Sequence, residues 1–98
     1  MSTHIAFIGG GNMARSLIGG LVREGQPRNA IHVAEPNADL RAALAQDFGV
    51  VTHSQNAAAA LVAGTWVLAV KPQVMGSVLD ELAPVAADRA PLVVSIAA

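Results

Sequence analysis

The chain has 98 residues, the length of one small domain, and at 53% hydrophobic and 13% charged residues it is far too apolar for intrinsic disorder. Six basic and seven acidic residues stand singly and sum to a net charge of −1, which argues against a nucleic-acid or membrane-surface role, since both need clustered Lys/Arg. Cysteine is absent, which excludes disulfides, thiol chemistry and cysteine zinc sites and suits a reducing cytoplasm.

His4-Ile5-Ala6-Phe7-Ile8 is a continuous apolar run stopped by Gly9-Gly10-Gly11, the pattern of a strand buried on both faces. No basic residue precedes it, unlike a signal peptide, and no apolar run approaches the roughly 18–20 residues that span a bilayer. From Ala14 the apolar residues fall at Ala14, Leu17, Ile18 and Leu21, one helical face, with Gly25 as C-cap. Ala30 to Ala34 reads as a second strand, ended by Glu35-Pro36. Asn37 then caps a helix that carries Leu40, Ala43 and Leu44 and ends near Phe48-Gly49.

The second half repeats the scheme. Val50-Val51 is a short strand, and Ser54 or Asn56 caps an alanine-rich helix through about Ala63. Thr65 to Val70 is a strand cut off by Lys71-Pro72. Met75, Val78, Leu79 and Leu82 give a helical stripe that Pro84 is expected to end, and Leu92 to Ile96 is a fifth strand. Alternating β-α-β-α order with doubly apolar strands predicts an α/β Rossmann-like fold. The expected sheet is parallel, about five strands in order 3-2-1-4-5, with helices on both faces. The apolar stop at Ala98 reads as the cut end of a longer protein.

Gly9-Gly10-Gly11-Asn12-Met13-Ala14 fits G-x-G-x-x-G/A between a strand and a helix. Gly9 permits the tight turn, Gly11 lets a pyrophosphate reach the backbone, and Ala14 is small enough for close helix–strand packing. The anion would meet free N–H groups at the positive end of the helix dipole. Glu35, at the end of the second strand, is placed to accept from adenosine ribose hydroxyls and favours NAD(H). Arg41 could instead face a 2′-phosphate and favour NADP(H). His4, His32 and His53 look isolated and structural, Trp66 is expected in packing, and Gly19-Gly20 suggests close approach of the first helix to its neighbours.

These residues resemble the pyrroline-5-carboxylate reductase family, the last enzyme of proline biosynthesis. Ile5 to Ala14 is similar to its opening, Leu68-Ala69-Val70-Lys71-Pro72-Gln73 to its second signature and Val93 to Ala98 to its third. The resemblance implies that residues 1–98 are an NAD(P)-binding domain followed in the family by a helical domain that dimerises and completes the active site. It implies that Ile8, Gly9, Gly10, Gly11, Asn12 and Met13 line the pyrophosphate. Ala69, Val70, Lys71 and Pro72 would border the ribose and nicotinamide end, Ala97 would approach the nicotinamide, and Asn56 would touch the adenosine portion. Glu35 departs from the small polar residue that many members carry there, which bears on NADP preference.

The expected activity is therefore hydride transfer from NADPH or NADH to 1-pyrroline-5-carboxylate, in a cytoplasmic enzyme that is a homo-oligomer at full length. No catalytic side chain, metal, nucleic acid or membrane is implied. The alternatives are the cofactor domain of another NADP-oxidoreductase or β-hydroxyacid dehydrogenase-like reductase, against which the Gly-Asn-Met and Val-Lys-Pro signatures speak, and a stand-alone nucleotide-binding module.

Overall fold

The computed structural model of the chain describes residues 3–96. In chain order its elements are β1 (Ile5–Ile8), α1 (Asn12–Arg23), a 3-10 turn at Arg28–Ala30, β2 (Ile31–Ala34), α2 (Ala38–Phe48) and β3 (Val51–His53). After these come α3 (Asn56–Ala60), β4 (Thr65–Leu68), α4 (Pro72–Arg89) and β5 (Leu92–Ser95). Among the described residues the five strands form one sheet in the order β3-β2-β1-β4-β5, every neighbouring pair parallel. The expected fold class and strand order are both found.

The parallel register explains the two faces. Strand residues alternate sides, so Phe7 and Val33 point one way while Ala6 and Ile8 point the other. Phe7, Ile31 and Val33 pack with Ala14 and Ile18 of α1 and Leu44 of α2. Ala6, Ile8, Trp66 and Leu68 pack with Ala59 and Ala60 of α3 and Val78 and Leu82 of α4. Burying each of the large side chains stabilises the fold by about 1.5–3 kcal/mol. Trp66 is buried, and its indole N–H donates to the carbonyls of Ala60 and Ala63 at 3.1 and 3.2 Å, which ties the end of α3 to β4.

The helices end as their sequences dictate. The Asn37 side chain accepts from the N–H groups of Asp39 and Leu40, and Gly49 closes α2 in a left-handed conformation at φ 71°. Helices α1 and α2 lie close at Gly19, where a Cβ would meet the Phe48 ring at 3.4 Å in ordinary van der Waals contact. Arg15 reinforces the contact, pairing with Asp47 and lying over the same ring at 4.9 Å from its centre.

Several details differ from the sequence expectation. Helix α1 begins at Asn12, and its C-cap is Glu24, with Gly25 following at φ 94°. Asn56 is the first residue of α3 rather than its cap, because Gln55 holds the extended cap position, and the helix stops at Ala60. Helix α4 runs through Pro84 to Arg89, since Val85 and Ala86 beyond the proline still reach the core. Strand β5 is exposed along its whole length, with Leu92 65% exposed, rather than covered on both faces, because it lies at the sheet edge. No helix among the described residues is long and apolar enough to cross a membrane.

Pro84 removes one N–H from the interior of α4 and crowds the preceding turn. Pro84→Ala, at an exposed position, should raise stability by about 1–3 kcal/mol, and a denaturant midpoint reads the change.

Candidate functional site

In an open α/β sheet the crevice forms beyond the carboxyl ends of the strands where strand order reverses. Here that point lies between β1, whose connection runs toward β2, and β4. A cleft of about 520 Å³ opens there. Its floor is the turn from Gly9 to Ala14, one wall is Glu35 to Asn37 with Leu40, and the other is Ala69 to Lys71 with Val74 and Ile96.

The glycines of the turn have different reasons. Gly9 holds φ 106°, and a Cβ there would lie 2.6 Å from the Ala69 carbonyl oxygen, so packing alone demands glycine. A Cβ on Gly11 would meet nothing within 4 Å. Packing gives no reason for its bareness; its effect is to leave the cleft open above the backbone. Gly11 is also the N-cap of α1 and offers no side-chain oxygen, so the N–H groups of the first turn are left to an outside acceptor. Helix α4 likewise starts without a side-chain cap, with Lys71 at the N-cap and Pro72 at N1. Two uncapped helix N-termini thus border one cleft, a favourable setting for an anion.

Glu35 fixes the opposite wall. The residue is buried at 8% exposure, and its carboxylate takes Gly10 N–H on Oε1 and Asn37 N–H on Oε2, each at 2.9 Å. It therefore staples the β1–α1 turn to the β2–α2 turn. Arg41 sits one helical turn further on, and its Nη1 donates to the carbonyls of Glu35 and Pro36 at 2.8 and 3.0 Å. A carboxylate and a guanidinium so stand side by side at this end of the cleft.

Of the residues singled out in sequence, Gly9, Gly10, Gly11, Asn12, Met13, Glu35, Ala69, Val70 and Lys71 line the cleft together. Ile8 is fully buried beneath them, Arg41 stands at the rim, and Pro72 begins α4 next to Lys71. Asn56 does not line the cleft; its amide Nδ2 donates to Glu81 Oε1 at 3.0 Å and ties α3 to α4. Ala97 lies outside the described residues. Leu40 and Val74 were not singled out as site residues, yet both line the walls from helical first turns. Both are apolar yet 42% and 43% exposed, which shows only once the helices are placed. Among the described lining residues none carries a hydroxyl, and Glu35 and Lys71 are the ionisable ones. The cleft can hold and orient an extended anionic molecule; it offers little for proton transfer.

Substitutions at three positions separate the roles of these residues. Glu35→Ala should cost about 1–3 kcal/mol by leaving two N–H groups without an acceptor, with Glu35→Gln intermediate because one amide end cannot accept. Gly9→Ala should be strongly destabilising and Gly11→Ala within about 1 kcal/mol of the parent. Thermal or denaturant unfolding checks each.

The family profile described as NADP oxidoreductase, coenzyme F420-dependent, matches residues 4–98. Pyrroline-5-carboxylate reductase of Pseudomonas aeruginosa is 50% identical over 99 residues, covering 100% of this chain and 36% of that protein. Its counterpart from Vibrio alginolyticus is 46% identical, covering 96% of the chain and 34% of the relative. The solved pyrroline-5-carboxylate reductase of Coxiella burnetii superposes with TM-score 0.94 at 38% identity, over 99% of this chain and 36% of that one. This chain thus spans about a third of the length of these relatives. By the match across nearly its whole length, the chain belongs to the NADP oxidoreductase, coenzyme F420-dependent, family.

Proposed function

We propose that this chain is the dinucleotide-binding domain of a pyrroline-5-carboxylate reductase, residues 1–98 of a longer enzyme. The observation that carries the reading is the open space over Gly11 beside two uncapped helix N-termini. It fits a pyrophosphate, whose oxygens would accept from the N–H groups opening α1. Glu35 and Arg41 would flank the adenosine ribose, and the backbone from Ala69 to Lys71, with Pro72, would border the nicotinamide end. Ile8 would support the turn from below, and Ala97 would approach the nicotinamide. When bound, the reduced nicotinamide supplies the hydride that turns the C=N carbon of 1-pyrroline-5-carboxylate into that of L-proline. The chain's own residues hold and orient, and none is assigned a catalytic role.

The remaining parts of the reading follow from it. The substrate is a small molecule, the enzyme works in the cytoplasm, and at full length it is a homo-oligomer without nucleic-acid or membrane partners. The family description favours one second reading, a reductase with the same dinucleotide domain and another substrate. Imine reduction by a protein that carries this chain and the rest of the relatives' length separates the two.

Calorimetric titration with NADH and NADPH tests the cofactor assignment. Both should bind saturably, and Gly11→Val should weaken both at least about tenfold by filling the space over the backbone. Because Glu35 puts a carboxylate beside the ribose position, Glu35→Ser should raise NADPH affinity relative to NADH by about tenfold. An unchanged ratio would remove Glu35 from the cofactor site. The 98-residue chain alone should give no measurable turnover with 1-pyrroline-5-carboxylate, since the described lining residues include no hydroxyl to serve the imine nitrogen. Robust turnover would contradict the domain assignment.

A further inference from the structure

His4, His32 and His53 are far apart in sequence but meet on one face of the sheet. Parallel pairing sets Ala6 beside His32 and Ala34 beside His53, and paired residues share a face. That face is the one covered by α3. His4 Nδ1 lies 2.8 Å from His32 Nε2, and His32 Nδ1 lies 3.1 Å from His53 Nε2. The rings are arranged at 5.1 and 5.3 Å between centres, so one line of imidazoles joins the edge before β1 to β2 and β3. We propose that this histidine ladder is a proton-sensitive tie across β1, β2 and β3, closed when the ladder carries at most one added proton and opened by the second.

Proton counting carries the argument. Each N···N contact needs one hydrogen between its two nitrogens, and there are two such contacts. The nitrogens outside the contacts, His4 Nε2 and His53 Nδ1, can carry one hydrogen each. An intact ladder therefore holds at most four hydrogens, one more than three neutral imidazoles bring. A second added proton must set two N–H groups against each other and place like charges on adjacent rings. The unfolded chain has no such ceiling, and its three histidines can all charge.

The surroundings oppose charge on His32 and His53. Burial pushes the His32 imidazole below its ordinary value of 6.5, with further lowering from His53 and His4. Burial lowers His53 as well. Helix α3, Asn56–Ala60, brings no titratable group to this face. The 3-10 turn brings Arg28 beside Gly49, the end of β2 brings Glu35 with its carboxylate on Gly10 and Asn37, and α4 brings Glu81, held by Asn56. Helix α2 packs on the opposite face with Asp39, Arg41 and Asp47, the last paired to Arg15.

The sign follows by linkage. Below about pH 6.5 the unfolded chain binds more protons than the folded one, so stability falls with acid. The neutral-pH stability is lost as the pH drops from the unfolded value toward the depressed folded values. For each proton withheld, the unfolding constant rises by up to about tenfold per pH unit. The ladder also reaches the strand that supports the cleft, because Glu35 N–H donates to the His53 carbonyl at 2.9 Å.

Imidazole nitrogen NMR of the whole chain tests the proposal, since these are its three histidines. The His32 signal should titrate below 6.5, with thermal midpoints falling steadily between about pH 7 and pH 5. His53→Ala removes one rung at a half-buried position; it should move the His32 midpoint upward and flatten the fall in stability. Ordinary titration of His32 in the parent chain, a flat parent stability profile, or an unchanged profile in His53→Ala would each overturn the tie. If His53→Ala does not fold, the parent titration and its stability profile decide the matter alone.

Discussion

The buried carboxylate of Glu35 is the contact on which the cleft depends. One oxygen holds the glycine turn and the other holds the start of the next loop, so two connections that come from adjacent strands move as one piece. Hydrogen bonds to a charged acceptor are worth about 1.5–3 kcal/mol each, and leaving their donors buried and unmatched costs a similar amount. With the turn fixed, Gly11 is left as the open position and the first turn of α1 faces the cleft. The carboxylate that the sequence marks as a ligand contact is therefore also part of the architecture.

The sheet explains why these groups meet. Reversal of strand order at β1 sends the first two helices to one face and the next two to the other, which leaves a gap beyond the carboxyl ends of β1 and β4. The close approach of Gly9 to the Ala69 carbonyl sets the width of that gap. Small side chains make it feasible: the core on the α3 side is built largely from alanines at positions 6, 34, 59, 60 and 63. A larger residue at any of these would push α3 away from the sheet.

The strands and the glycine turn were legible in the sequence because both obey local rules. A short apolar run rich in β-branched residues and ended by Gly or Pro carries its strand signal locally, and the turn residues have steric reasons of their own. The extent of α4 was not legible, since Pro84 is a local stop signal and the contacts of Val85 and Ala86 that override it are tertiary. The histidine ladder was invisible for the same reason. His4, His32 and His53 have no spacing that suggests contact, and only the register of three strands brings them into line. At the cleft, residues on the turn and strand ends were found by motif, whereas Leu40 and Val74 required knowing where the helical first turns point.

Amide NMR during addition of NADPH tests the central claim most directly. The N–H signals of Gly11, Asn12 and Met13 should shift most, with Lys71 following, while Gly10 N–H stays bonded to Glu35 and moves little. Shifts clustered instead around Ile5, Leu17 and Val94, which line a separate hollow beside α1, would contradict the account, as would no shifts at all.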